Sequence, residues 1–411
     1  MLQNNKIDIS VVIPTKNAGK EFEFLLKTLR GQKGFRSIEL VVVDSGSTDS
    51  TVNIAKEYNA KIINILPEDF THSYARNIGA ENSSGNFLFF TVQDALPSNE
   101  KFLHNLMVFL KNNDVVAISC AEIPREDADL FYRVVSWDHC NFFGINNKDK
   151  IAKLPKIFNY NTLRQNGQLS NIACFVSKDV FMNYKYRYSY AEDLDFGIRL
   201  IKDGNKIALL SSTRIIHSHN RSAYYFLKRG YVDSLFLKEI FNDFPIPHIN
   251  FNELVLDMIF TYKFINNIVQ KISLIDLPVT IDLIESCIKG EYKQILNFTY
   301  PETIDFDENQ YVDGKFKFFL QELYNEKYKQ LSVSYYGFLI NSLLAFLNST
   351  FKYLNNIYEI IDVVLIEDLK ICLYKQYALL CGNYLAYCYI NNFHKENIDL
   401  YRIHEELKRG V

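Results

Sequence analysis

Short stretches of this chain put reactive side chains where loops follow apolar runs. Asp44 closes the strand-like V-V-V-D of the segment V-V-V-D-S-G-S-T-D, residues 41–49. A carboxylate there can accept a hydrogen bond from the ring N3–H of uracil or thymine. Ser45, Gly46 and Ser47 make a tight turn behind it, and Ser47, Thr48 or Asp49 can cap the helix that follows. Asp94 closes V-Q-D at 92–94. One acidic side chain in that place can hold a divalent cation between two phosphates, since Mg²⁺ and Mn²⁺ take hard oxygen ligands and let phosphates complete the shell. Glu192, Asp193 and Asp195 crowd the start of a helical pattern. The positive end of a helix favours carboxylates as caps. A carboxylate held there can also act as general base toward a hydroxyl. His217 and His219 are two residues apart, so on a strand they point the same way. Neutral imidazole is a common metal ligand. Arg76 and Asn77 open another helical stretch and suit phosphate or nucleotide binding. Taken singly, each group has a plain structural use as turn former, cap or surface residue. Their order along the chain gives them weight.

The elements that must position them alternate. Apolar β-branched runs at 9–13, 39–43, 60–65, 87–92 and 115–120 read as buried strands. Between them, 21–29, 49–58, 73–82 and 99–110 carry apolar residues at helical spacing, as with Phe22, Leu25, Leu26 and Leu29. Strands alternating with helices predict βαβ units and a parallel sheet, with ligands bound beyond the carboxyl ends of its strands. Residues 121–169 read as a loop-and-helix insertion. A helix over 192–203 ends at Gly204, followed by short strands at 206–210 and 213–216. F-P-I-P-H at 244–248 reads as a linker. Helical spacing then recurs at 254–268, 281–288, 316–323, 335–347, 354–365 and 369–389. The expected organisation is an α/β domain over 1–243 and a helical domain over 244–411, the latter serving acceptor binding, oligomerisation or membrane-surface contact. For the aromatic-rich 335–347 stretch, a buried bundle helix or dimer interface is favoured over a membrane-surface helix, because the Lys/Arg-rich polar face is missing.

Composition narrows the class. The chain has 411 residues, 48% hydrophobic and 23% charged, which excludes a disordered or fibrous protein. A formal net charge of −3 offers no electrostatic footprint for nucleic acid. The seven cysteines are scattered and form no C-x-x-C pair, which argues against a zinc ribbon or disulfide framework and for a reducing, cytoplasmic setting. Residues 1–8 are polar, so no secretory segment is expected. No apolar stretch of about 18 residues predicts a transmembrane helix.

Together the motifs over 9–240 resemble inverting glycosyltransferases of family 2, which have the GT-A fold, a Rossmann-like, mostly parallel sheet flanked by helices. V-V-I-P-T-K-N at 11–17 resembles the family's opening strand, and V-V-V-D-S-G-S-T-D its base-binding segment. A-R-N-I-G-A at 75–80 resembles its R-N-x-G-A helix, and E-D-L-D-F-G-I-R-L at 192–200 its E-D-x-D helix. T-V-Q-D-A-L-P and H-S-H-N-R-S look most like bacterial rhamnosyltransferase-type members. The sequence departs from the family at the metal motif, where D-x-D would need Asp in place of Val92.

The resemblance implies roles. Pro14, Thr15 and Asn17 would line the nucleotide pocket, Asp44 would read the pyrimidine, and Arg76 would support the nucleotide. Gln93 and Asp94 would face the nucleotide sugar, with Asn171 in S-N-I-A-C-F-V near donor and acceptor sugars. Asp94 and His217, with His219 in reserve, would bind Mn²⁺ or Mg²⁺. Asp193 would be the general base, with Glu192 beside it. The implied reaction moves a sugar from a UDP- or dTDP-sugar to a hydroxyl of a growing bacterial surface glycan, such as O-antigen or capsule, free or lipid-linked, at the cytoplasmic side. Peripheral membrane contact and homo-oligomerisation through the C-terminal domain belong to the same expectation. Two rivals are a sugar nucleotidyltransferase, disfavoured by the Gly-poor loop P-T-K-N-A-G-K, and a degenerate glycan-binding or scaffold domain, for which Val92 is the best support.

Overall fold

The computed structural model describes residues 8–295, 306, 309–324, 337–391 and 398–409. The chain divides into two compact units. One comprises Met1–Glu126 with His139–Ser218, the other Asp127–Asp138 with His219–Val411.

In the first unit the apolar runs become strands with buried faces. β1 (Ile9–Thr15), β2 (Ile38–Asp44), β3 (Lys61–Asn64) and β4 (Phe87–Thr91) lie parallel in the order β3-β2-β1-β4. The crossovers are α1 (Glu21–Arg30), α2 (Thr51–Glu57) and α3 (His72–Glu81). α1 buries Phe22, Leu25, Leu26 and Leu29, the stripe that the spacing predicts. After β5 (Leu96–Pro97) and α4 (Phe102–Asn112) come β6 (Ala117–Ile123) and α5 (Leu130–Phe143), of which the residues up to Asp138 belong to the second unit. Then follow β7 (Lys150–Ala152), α6 (Tyr160–Gly167), β8 (Ala173–Ser177), α7 (Lys178–Tyr184), α8 (Glu192–Lys202) and β9 (Ile207–Ile216).

The full sheet order is β3-β2-β1-β4-β8-β6-β9-β5, with β7 on β9. β8 runs antiparallel to both β4 and β6, so the sheet is mixed. Its apolar core is only four residues long and lacks alternation, which is why the sequence shows no strand there. The two short strands expected at 206–210 and 213–216 are one strand, β9, with a register shift between them. Cys120 pairs with Leu210, yet Ala121 pairs with Arg214. The Asp149 carboxylate holds this irregularity by accepting from Ser211 N at 2.8 Å, Ser212 N at 2.9 Å and Ser212 Oγ at 2.7 Å. The shift slides β9 along β6 until Ile216 lies opposite Ile123. The residue after Ile216 is His217.

The second unit contains α9 (Ala223–Ile240), α10 (Phe251–Ser273), α11 (Ile281–Ile295), α12 (Gly314–Leu323), α13 (Phe338–Ile357), α14 (Val363–Ile390) and α15 (Ile398–Leu407). α14 is buried nearly all round and packs against α9, α10, α13 and α15. The expected boundary at 243/244 therefore moves to 218/219, because α9 belongs with α14. A Cβ at Gly382 would meet Leu227 O at 2.0 Å, and one at Gly230 would meet Leu379 O at 2.2 Å. Only glycine lets the two backbones approach so closely. The apolar 335–347 stretch is helical from Phe338 and buries Leu339, Ile340, Leu343 and Leu347, as a bundle helix does. Tyr335 and Tyr336 lie outside the described residues. The 354–365 stretch is not one helix. It ends α13 and begins α14, where the Asp362 carboxylate accepts from Leu365 N at 2.8 Å as an N-cap. No helix among the described residues is long and apolar enough to cross a membrane.

Candidate active site

The predicted residues gather at the carboxyl ends of the central strands of the first unit. β1 lies between β2 and β4, which makes its end the switch point where α/β sheets open a crevice. β1 pairs with β4 only as far as Val12, opposite Phe90, but follows β2 to Thr15, opposite Asp44. Pro14, which has no N–H to give, therefore sits where β1 has already left β4. Gln93 spans the gap: its Oε1 accepts from Lys16 N at 2.9 Å.

The loop after β1 and the turn after β2 are stitched together. Asn17 adopts a left-handed φ of 48°. Its N–H donates to Ser47 Oγ at 2.8 Å, and its Oδ1 accepts from Thr48 N at 2.8 Å. Asp49 accepts from Gly19 N at 3.0 Å and Thr51 N at 3.0 Å, bracing the start of α2. Asp44 itself is buried. Its carboxylate accepts from Thr15 Oγ1 at 3.1 Å, Ser47 Oγ at 2.5 Å, Gly46 N at 3.1 Å and Ser47 N at 2.9 Å. The side chain proposed to read a pyrimidine is thus first the internal tie of its own turn.

The second cluster forms where β4, β6 and β9 end. Leu96 pairs with Ile216, which carries Asp94 alongside His217. His217 is buried, with Nε2 at 3.7 Å from Asp94 Oδ1 and Nδ1 at 3.0 Å from Glu122 Oε2. A carboxylate beside Nδ1 favours the tautomer whose Nδ1–H donates to it, which leaves the Nε2 lone pair facing Asp94. Asp94, His217 and His219 each offer a ligand atom within 4.8 Å of the others. Two imidazoles, one carboxylate and a second carboxylate behind the inner imidazole fit a divalent cation. Val92 packs with the apolar core, so no second acid joins from β4. Arg125 donates through Nη2 to the main-chain oxygen of Asp94 and through Nη1 to Glu21 Oε2 at 2.9 Å. With Glu21, Phe24, Leu96 and Asp94 it lines a cavity of about 260 Å³.

The third cluster surrounds the start of α8. Ala191, its N-cap, has a φ of 52°, a left-handed conformation that costs an alanine energy and turns the acids into place. Asp193 Oδ2 accepts from Asn171 N at 3.0 Å, and Oδ1 from Leu194 N at 2.9 Å. Desolvation first, then the charge of neighbouring Glu192, pushes the Asp193 carboxyl up to about 7. Glu192 is buried and committed elsewhere: Oε1 accepts from Arg76 Nη1 at 3.0 Å and from Asn171 Nδ2 at 2.8 Å. Asn171 also accepts from the Tyr186 hydroxyl at 2.5 Å. Asn77 clamps Tyr186 through both its main-chain N–H and carbonyl, at 3.0 and 2.9 Å. Gly79 lets α3 lie on the sheet, since a Cβ there would meet Val12 Cγ1 at 2.4 Å. The A-R-N-I-G-A segment is thus the brace between sheet and acid helix. It sets Arg76 against Glu192 rather than beside Thr15 and Asp44.

The structure brings together Pro14, Thr15, Asn17, Asp44 and Gln93 as one group, Asp94, His217 and His219 as a second, and Arg76, Asn171, Glu192 and Asp193 as a third. Sequence reasoning missed Glu122 and Arg125. Glu122 sits in a strand with no motif around it, and only the β6–β9 register pairs it with His217. Arg125 stood in the insertion without a partner to single it out.

The motif order now has its geometric counterpart, and residues 10–172 match the profile described as Glycosyl transferase family 2. The chain carries a family 2 glycosyltransferase domain. An O-antigen chain rhamnosyltransferase of Salmonella typhimurium is 27% identical over 220 residues, 52% of this chain and 67% of the relative. Another O-antigen chain rhamnosyltransferase, of Salmonella anatum, is 28% identical over 239 residues, 51% of this chain and 66% of its own length. A glycosyltransferase of Haemophilus influenzae is 24% identical over 221 residues, covering 53% of this chain and 78% of that protein. These matches leave about half of the present chain unaccounted for. The match makes this domain that of an enzyme, and its mixed sheet with flanking helices fits the GT-A architecture that the resemblance implied.

Proposed function

We propose that this glycosyltransferase moves a sugar from a UDP- or dTDP-linked donor to a hydroxyl of a growing bacterial surface glycan, with inversion at the anomeric carbon. Its resemblance to two O-antigen chain rhamnosyltransferases favours a rhamnosyl donor and a glycan acceptor. The observation that carries the reading is Asp193: a carboxylate with a raised pKa, aimed by two main-chain N–H groups, at the same end of the sheet as the Asp94–His217–His219 cluster.

In this reading Asp193 accepts the proton of the acceptor hydroxyl as that oxygen attacks the anomeric carbon. The bond from that carbon to the diphosphate breaks in the same displacement, so configuration inverts and no covalent enzyme intermediate forms. A carboxylate with a pKa near the working pH suits this task, because it is a stronger base than an ordinary aspartate and still largely ionised. Asn171 and Leu194 hold it in place, and Glu192, paired with Arg76, keeps Asn171 in place. Asp94 and His217, with His219, would hold a divalent cation, which when bound neutralises charge developing on the leaving diphosphate. Two imidazoles favour Mn²⁺ over Mg²⁺, which takes oxygen ligands almost exclusively. Thr15, Asn17, Asp44 and Gln93 would form the nucleotide side of the crevice.

The test is to incubate the protein with dTDP-rhamnose and a panel of UDP- and dTDP-sugars, with Mn²⁺ and a glycan acceptor. Acceptor-dependent release of nucleoside diphosphate and an inverted anomeric proton signal in the product are expected. A retained configuration, or no transfer from any donor, would overturn the reading.

A further inference from the structure

One segment of the first unit sets cations beside exposed apolar side chains. Between residues 144 and 167 the chain carries Lys148, Lys150, Lys153, Lys156 and Arg164 against a single acid, Asp149, in a protein whose formal net charge is −3. Asp149 is spent on the β9 irregularity. Lys150 turns inward to the carbonyls of Phe143 and Gln165, and Arg164 lies over the rings of Phe142 and Tyr160. The cations left facing solvent are Lys148, Lys153 and Lys156. Interleaved with them are exposed large apolar side chains: Ile151 at 45%, Leu154 at 37%, Ile157 at 75% and Phe158 at 62%.

This exposure is built into the backbone. Asn159 and Thr162 form a reciprocal capping box at the start of α6, and Thr162 Oγ1 also donates to Ile157 O at 2.9 Å. Ile157 and Phe158 are therefore held out in water by the helix start behind them. Exposed apolar side chains rimmed by polar and charged ones mark an interaction site.

We propose that residues 148–158 seat this protein on an anionic lipid bilayer, with Ile157 and Phe158 entering the headgroup boundary and Lys148, Lys153 and Lys156 facing the lipid phosphates. Apolar and cationic side chains together fit that boundary, where both kinds of group are satisfied at once. A nucleic acid would answer the lysines and leave the apolar tips in water. Strand addition by a second copy is poorly served, because β7 is three residues long and Pro155 follows it closely. This inference stands apart from the assignment of donor, cation and base.

The experiment is co-sedimentation of the full chain with vesicles of equal parts phosphatidylglycerol and phosphatidylcholine, and with vesicles of phosphatidylcholine alone. Binding to the anionic vesicles only, weakened by salt, is expected. Ile157→Asp with Phe158→Asp should lower the partition roughly tenfold or more, and Lys153→Glu with Lys156→Glu should remove its salt dependence. Both pairs are exposed, so the melting temperature should not move. Unchanged partition in the Ile157→Asp/Phe158→Asp variant would overturn the proposal, as would failure of the parent protein to bind anionic vesicles. Concentration-dependent self-association abolished by the same substitutions would make the surface a contact between copies and overturn it equally.

Discussion

The Nδ1 atom of His217 lies 3.0 Å from Oε2 of Glu122, while Nε2 of the same ring lies 3.7 Å from Asp94. One carboxylate thus orients an imidazole toward another. That is the outer-shell partner expected behind a metal-binding histidine.

Glu122→Ala should raise the Mn²⁺ concentration for half-saturation by about ten- to a hundredfold. Glu122→Gln, which can still accept through its amide oxygen, should fall between. Free Mn²⁺ measured by electron paramagnetic resonance reads binding directly, without turnover. If both variants bind Mn²⁺ like the parent, Glu122 does not position a ligand.

Asp193→Asn should leave donor binding near that of the parent and lower kcat by about a hundredfold or more, because a general base acts only in the chemical step. In the parent, kcat/KM should fall as pH drops through the raised pKa of Asp193, about 7, rather than near the ordinary aspartate value. Stability carries the opposite sign. A carboxyl whose folded pKa is raised favours the folded state while protonated, and that contribution is lost as pH rises toward 7. Asp193→Asn should therefore melt higher than the parent at pH 8 and alike at pH 4. A variant that melts below the parent at pH 8 would mean that Asp193 is a structural cap.

Much of this was legible in the sequence because local chemistry dictates it. The first four strands stood out as short apolar runs, and α1 and α8 by their apolar stripes. The turn after Asp44 could be read from Ser45, Gly46 and Ser47, since the groups that tie it, Asp44 with Ser47 and Asp49 with Thr51, are neighbours in the chain. What was not legible depends on pairing between distant segments. β8 hides as four apolar residues, and its place between β4 and β6 follows from antiparallel pairing that no local pattern announces. Glu122 reaches His217 only through the shifted register of β9. The second unit's boundary depends on Gly230 and Gly382, which are 152 positions apart and meet only at the α9–α14 crossing. Arg76 illustrates a different limit: a motif marks a residue as needed without saying which partner it needs.

Asp44→Ala should raise the donor KM, as a base-contacting residue would, and should also cost stability. The substitution leaves Ser47 N, Gly46 N and the hydroxyls of Thr15 and Ser47 without their acceptor. Each buried donor stranded in this way costs about 1–3 kcal/mol unless water reaches it. Thermal unfolding should drop by several degrees, on the order of 2–4 °C per kcal/mol for a domain of this size. Asp44→Asn, which keeps one carbonyl oxygen, should recover part of the loss. A melting temperature equal to the parent's in Asp44→Ala, with only KM changed, would show that the turn stands without its carboxylate.

The two histidines are separable by what surrounds them. His217 is buried, held by its main-chain N–H, which donates to Ile123 O at 3.0 Å, and its ring is backed by Glu122. His219 is only half-buried and belongs to the segment that leaves β9. A ligand already held in position loses little entropy when a cation binds, so His217 should carry more of the affinity. His217→Ala should raise the Mn²⁺ requirement for half-maximal transfer by at least tenfold, and His219→Ala by only a few-fold. Metal titrations of the two variants, each with direct Mn²⁺ binding as the second measurement, distinguish them. Equal losses would make the site a symmetric three-ligand cluster. Full transfer in excess EDTA by the parent and both variants would remove the cation from the reaction altogether and make Arg125, which donates to the main-chain oxygen of Asp94, the candidate positive charge for the leaving diphosphate.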